Sequence, residues 1–173
     1  MKMLTRAGRA AILDRRAFTE AFFDGDAAAD AAIIVAGVGG LTYAGFLLRV
    51  GALGAFDLAS LIQVLIASVV SWLILAFATW FVATRLFQSS GRPQTMMALQ
   101  GLAALPLLLE IFGRWMGGVG LIWYLVVLVL ATQEASELKT KDAAVSVLIG
   151  FAVAALARAL IGVPFAILGG IFG

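Results

Sequence analysis

Five long apolar segments, divided by short polar breaks, occupy most of this 173-residue chain. A bilayer admits a backbone only when its polar groups are paired internally, and a helix of about 20 apolar residues crosses it. The sequence therefore predicts an all-α, polytopic membrane protein: a five-helix transmembrane bundle (31–173) preceded by a cytoplasmic segment (1–30) with an amphipathic interfacial helix. The predicted spans are residues 31–48, 58–87, 95–113, 117–134 and 143–170.

The composition excludes several classes of function. Only 13% of the residues are charged, about half the fraction typical of a soluble domain. The chain has no cysteine and no histidine, which rules out disulfides, His-containing zinc sites and Ser–His or Cys–His catalysis within it. It also has no P-loop or dinucleotide-binding glycine pattern. We therefore predict a non-enzymatic protein with no cofactor, no metal and no nucleic-acid partner.

The N-terminal segment reads as one amphipathic helix over residues 3–23, with apolar residues on one face and mostly basic residues on the other. Such a helix is typical of the headgroup layer of an anionic leaflet. A short cytoplasmic helix packed on the bundle is the alternative. The predicted contacts with the membrane surface are Arg6, Arg9, Arg16, Phe18 and Phe22.

The distribution of cations predicts the orientation. With five spans, the N-terminus shares a side with the second and fourth loops, and this side holds nine of the twelve lysines and arginines. The other side holds Arg49 and Arg114, while Arg158 lies within a span. By the positive-inside rule, the N-terminus is cytoplasmic and the C-terminus lies outside.

Two charged residues interrupt the apolar segments, Glu110 in the third span and Arg158 in the fifth. Each lies about 24 Å from the cytoplasmic start of its span at the helical rise per residue, so the two could form an ion pair. Arg114 is a competing partner, and Gln63 could join the cluster. A structural pin between helices and a pathway for a substrate or proton are both compatible with this pattern.

The order of these features resembles the Yip domain family, membrane proteins named for interaction with Ypt/Rab GTPases, in its prokaryotic branch. The resemblance covers most of residues 15–170. It rests on a polar N-terminal segment ending near Phe18, the glycine-containing break and proline-containing span from Ser89 to Glu110 (SSGRPQTMMALQGLAALPLLLE), Trp123, and the polar break before the fifth span.

The resemblance implies a five-helix bundle in the bacterial cytoplasmic (inner) membrane that interacts with protein partners, and it implies no catalytic residues. One motif departs from the family: Phe56, Asp57 and Leu58 are followed by Ala-Ser, where eukaryotic members have an Asp-Leu-Tyr-Gly-Pro type of motif.

Three functions follow as expectations. The first is a scaffold, assembly factor or accessory subunit that binds other membrane proteins through glycine-rich helix faces. The second is a small transporter or lipid-handling protein with a polar pocket at Glu110 and Arg158. The third is a membrane-surface or curvature sensor that uses the basic N-terminal helix. The sequence leaves the oligomeric state open.

Overall fold

The computed structural model describes the backbone of residues 2–172 and the side chains of residues 3–54, 56–157 and 159. Within this range the chain is helical and has no strand, which confirms the all-α prediction. The helices are α1 (Lys2–Ala11), α2 (Arg15–Phe22), α3 (Ala27–Arg49), α4 (Leu58–Phe87), α5 (Pro93–Leu102), α6 (Arg114–Ser136) and α7 (Thr140–Phe172), with 3-10 segments at Leu53–Ala55 and Leu105–Phe112.

In the described part of the chain, five helical segments are long and apolar enough to cross a membrane, so the chain is an integral membrane protein. They are Ala27–Arg49, Leu58–Phe87, Pro93–Phe112, Arg114–Ser136 and Thr140–Ala157. The predicted bounds of α4 agree with the structure. The helices α3 and α6 begin four and three residues before their predicted starts, because Asp30 and Arg114, which bound the apolar runs, lie within the helices.

The third span changes its winding partway along. An α-helix over residues 95–113 was expected, but α5 ends at Leu102 and a 3-10 segment runs from Leu105 to Phe112. The cause is Pro106, which has no N–H to donate and whose ring clashes with the carbonyl four residues earlier. The 3-10 segment ends at Gly113, which has a φ of 121°.

Glycines allow the helices to approach one another closely. The α4–α7 contact is the most extensive in the bundle, and at each of several helix contacts an added Cβ would lie within 2.6 Å of a neighbouring element. These glycine contacts include Gly39 with Ser68, Gly101 with Ala31, Gly120 with Pro106 and Gly150 with Thr79. Much of the predicted small-residue surface is therefore used within the chain.

The start of α4 is fixed by Asp57, whose carboxylate accepts hydrogen bonds from the Ser60 hydroxyl and from the backbone N–H groups of Ser60 and Ala59. These bonds lower the pKa of the Asp57 carboxyl, with the Ser60 hydroxyl making the largest contribution. Asp57 thus satisfies two of the amide donors that a helix leaves unpaired at its N-terminus.

The N-terminal segment is two helices, so the prediction of one continuous helix over residues 3–23 is wrong. Leu13 has a φ of 63°, and Asp14 caps α2 by accepting a hydrogen bond from the backbone N–H of Arg16. The two helices form an antiparallel hairpin, in which Arg9 contacts both Asp14 and Glu20.

This hairpin packs on the bundle, as the alternative interpretation of the segment expected. It contacts α3, α5, the second 3-10 segment and α6. The residues that it contributes to the hydrophobic core are Ala7, Ala10, Ala17, Phe18 and Ala21.

Candidate functional site

A cavity of about 500 Å³ lies among α3, α4, the 3-10 segment Leu105–Phe112, α6 and α7. Its walls are mostly aliphatic and aromatic, and every element that lines it belongs to a candidate membrane span. The polar side chains in its walls are Thr42, Tyr43, Ser68, Ser71, Trp72, Glu110 and Tyr124.

Helical spacing explains how these residues come together. On α3 and α4 the lining residues recur every three or four positions, as in Gly39, Thr42 and Phe46 or Val64, Ser68 and Ser71, so each set occupies one helix face. On α6 the lining residues Leu121 and Tyr124 lie in the half nearer Gly113. The cavity therefore extends from the middle of the bundle toward the end that holds Arg49 and Arg114.

The 3-10 winding brings Glu110 to this cavity. Residues three apart are eclipsed in a 3-10 helix, and Ala104, Leu107 and Glu110 all line the cavity. The Glu110 side chain also lies against the start of α6, since a Cβ on Gly117 would be 3.3 Å from its Cγ. Its backbone carbonyl accepts a hydrogen bond of 2.9 Å from Nη1 of Arg49.

Trp72 contributes a buried hydrogen-bond donor to the cavity wall. The residue is 6% exposed, and its Nε1 has no acceptor among the residues whose side chains the structure describes. An unpaired buried donor costs about 1–3 kcal/mol. The Thr42 hydroxyl, by contrast, donates within its own helix to the Val38 and Gly39 carbonyls. A bound molecule with an acceptor atom near Trp72 would remove that cost.

The structure brings only part of the predicted polar cluster to the cavity. Glu110 lines it, whereas Gln63 and Arg114 are exposed and do not. Among the described side chains, no cation lies within 4 Å of the Glu110 carboxylate, and Arg158 is outside that set, so the Glu110–Arg158 pair stays a prediction. The hydrogen bond from Arg49 was not predicted, because Arg49 was counted only among the cations on the side opposite the N-terminus.

The structure places the predicted membrane-surface residues in three kinds of surroundings. Arg16 and Phe22 are exposed and free to contact lipid, while Phe18 is fully buried in the core. Arg6 and Arg9 pair with carboxylates of α2 and of the loops on either side of it.

The ion pairs of the hairpin join α1 to α2 and to the loop after it. Arg9 lies 2.8 Å from Asp14 and 2.9 Å from Glu20, and Arg6 pairs with Glu20 and Asp24. Two of the basic residues that predicted a polar face toward the lipid headgroups, Arg6 and Arg9, thus take part in the contact between two helices.

A metal site is not visible in the described part of the chain. No group of three or more His, Cys, Asp or Glu side chains could hold a metal ion there. No protein-family model matches the sequence, and no curated protein or solved structure matches it significantly.

Proposed function

We propose that this integral membrane protein binds a small amphipathic molecule in the cavity among α3, α4, α6 and α7, as a transporter or lipid-handling protein. The observation that carries the proposal is the cavity itself. Its volume of about 500 Å³ falls within the range of roughly 300–1,000 Å³ typical of ligand pockets. It combines apolar walls with a few polar groups, which is also typical of such pockets.

The polar groups indicate an amphipathic ligand rather than a hydrocarbon chain alone. Glu110 and Tyr43 provide polar atoms on the side of the cavity nearer Arg49, and Trp72 provides a buried donor deeper in the wall. The rest of the lining would hold an apolar body. Entry from the end opposite the N-terminal hairpin fits this arrangement, and by the predicted orientation that end faces outward.

A scaffold or accessory-subunit role has less support from the geometry. That hypothesis relied on glycine-rich faces exposed to other membrane proteins, but many of the glycines pack against neighbouring helices of the same chain. Partner interaction of the kind that the Yip resemblance implies stays a separate hypothesis. Co-purification of one defined larger complex in mild detergent would support it.

Photolabelling in lipid nanodiscs tests the binding proposal. The probe is a decanol that carries a diazirine, with unlabelled decanol as competitor, and the labelled residues are mapped by mass spectrometry. We expect competed labelling at cavity residues of α3 and α4. The substitution Ser71→Phe fills the cavity and should abolish that labelling, whereas Val70→Phe, at the next and more exposed position, should preserve it.

Labelling only at lipid-facing residues such as Leu73, unaffected by competitor and equal in the two variants, would refute a binding function for this cavity.

A further inference from the structure

The tip of the N-terminal hairpin reaches deep along the bundle. The Trp123 indole Nε1 donates a hydrogen bond of 2.7 Å to the carbonyl oxygen of Ala11, the last residue of α1. Trp123 is thirteen residues from Ser136, the end of α6 on the hairpin's side, or about 20 Å along the helix. The C-terminus of α1 is therefore level with the middle of a membrane span.

The other end of the hairpin lies where α3 begins and α6 ends. Arg6, near the start of α1, pairs with Asp24, three residues before α3. The Arg15 side chain starts beside the turn instead, and its Nη1 reaches to 3.4 Å from Oε1 of Glu134, two residues before the end of α6. The chain thus enters from the end that carries most of the cations, turns at residues 12–14, and returns to the same end.

Among the described residues, three of the hairpin's four arginines, all but the exposed Arg16, have a carboxylate within 4 Å. A charged side chain in hydrocarbon is costly unless it is paired. Arg9 contacts two carboxylates and Arg6 contacts two, so the polar sides of α1 and α2 face each other. The Arg15 side chain is long enough to carry its charge toward the polar end of α6.

The turn itself is apolar and exposed. Ile12 is 73% exposed and Leu13 is 37% exposed, although each is a large aliphatic residue. Leu4, on the outer side of α1, is 62% exposed. At the level of Trp123, the surroundings of a membrane span are lipid acyl chains, and exposed aliphatic side chains are stable there.

We propose that α1 and α2 form a re-entrant hairpin that inserts into one leaflet only, with Ile12 and Leu13 in contact with lipid acyl chains near the bilayer midplane. The occupant of this apolar surface is thus lipid. The proposal is independent of ligand binding in the cavity, which lies among other helices. It also extends the expectation of an interfacial helix, because the segment begins at the interface and penetrates beyond it.

Spin labelling tests the depth directly, since the chain has no cysteine of its own. A nitroxide at Ile12→Cys is compared in lipid vesicles with labels at Val126→Cys, on the exposed face of α6, and Gly25→Cys, in the α2–α3 loop. We expect the Ile12 label to collide with oxygen and to be protected from a water-soluble nickel complex, as at Val126. Nickel accessibility equal to that at Gly25 would overturn the proposal.

A second pair of variants tests the ion pairs. The substitution Arg9→Gln leaves Asp14 and Glu20 without their closest cation, whereas Arg16→Gln removes a charge whose side chain has no ion pair among the described residues. We expect a several-fold rise in nickel accessibility at residue 12 for Arg9→Gln and no change for Arg16→Gln. Equal values would contradict the role given to pairing, while the label at Val126 reports whether the bundle is intact.

Discussion

Two glycines of α6 offer a matched test of how tightly the third and fourth spans pack. An added Cβ on Gly120 would lie 2.5 Å from the carbonyl oxygen of Pro106 and 3.1 Å from Cβ of Leu109, whereas a Cβ on Gly118 would have nothing within 4 Å. Ordinary contact begins near 3.4 Å, so Gly120→Ala requires a shift of about 0.9 Å. The obstructing atom belongs to the backbone and cannot rotate away.

The expected magnitudes follow from two opposing effects. Replacing glycine by alanine inside a helix stabilises it by about 0.5–1 kcal/mol, and both variants share this gain. Overpacking costs about 1–3 kcal/mol and applies only at Gly120. We therefore expect Gly118→Ala to increase the free energy of unfolding slightly, and Gly120→Ala to fall about 1–3 kcal/mol below it.

Reversible unfolding by SDS in mixed micelles, followed by circular dichroism, measures this difference. Because the displaced segment also carries Glu110, the Gly120→Ala variant should bind the decanol probe more weakly than the Gly118→Ala variant. Unfolding free energies that agree within about 0.5 kcal/mol would refute the close contact between α6 and the 3-10 segment.

Three further predictions concern other parts of the chain. Asp57→Ala should lower the melting temperature at neutral pH. Hydrogen bonds hold the Asp57 pKa below its usual 3.8, so the stabilisation by Asp57 is fully present above pH 3.8. The difference in melting temperature between wild type and variant should shrink as the pH falls through the lowered pKa. In intact cells, a membrane-impermeant maleimide should label Gly54→Cys, in the loop between α3 and α4, but not Ser90→Cys, in the loop between α4 and α5. The reverse labelling pattern would show that the predicted orientation is wrong. Gln100 donates to Thr132 in the core, but its Oε1 has no partner among the described residues, so the double variant Gln100→Leu/Thr132→Val should unfold at nearly the wild-type SDS concentration.

The spans were predictable because hydrocarbon imposes a length and a composition on any helix that crosses it. The bounds of α4 are right because Asp57 caps its start and a glycine- and proline-containing break follows its end. The predicted fourth span, 117–134, is shorter than α6, because the apolar run does not include Arg114 whereas the helix begins there. Apolarity marks the hydrocarbon boundary, whereas helix ends depend on caps and turns.

The hairpin was missed although a local signal was present. Asp14 is a favourable N-cap residue in the middle of the amphipathic pattern, and it does cap α2. The helical periodicity continues across it, which favoured one long helix. The ion pair between Arg9 and Glu20 forms only because the chain turns back, whereas the periodicity of one straight helix places both residues on a common polar face.

The cavity depends on tertiary packing that the sequence alone did not predict. Glu110 was predicted as a site residue from its charge alone, but the face it presents depends on Pro106. In a continuous α-helix, Ala104, Leu107 and Glu110 would diverge progressively around the axis, since residues three apart do not align at 3.6 residues per turn. In the observed 3-10 segment they are eclipsed and line one cavity. The same segment packs against α1 and α6, so Pro106, through the winding that it imposes, positions the carboxylate, one wall of the cavity and part of the surface on which the N-terminal hairpin rests.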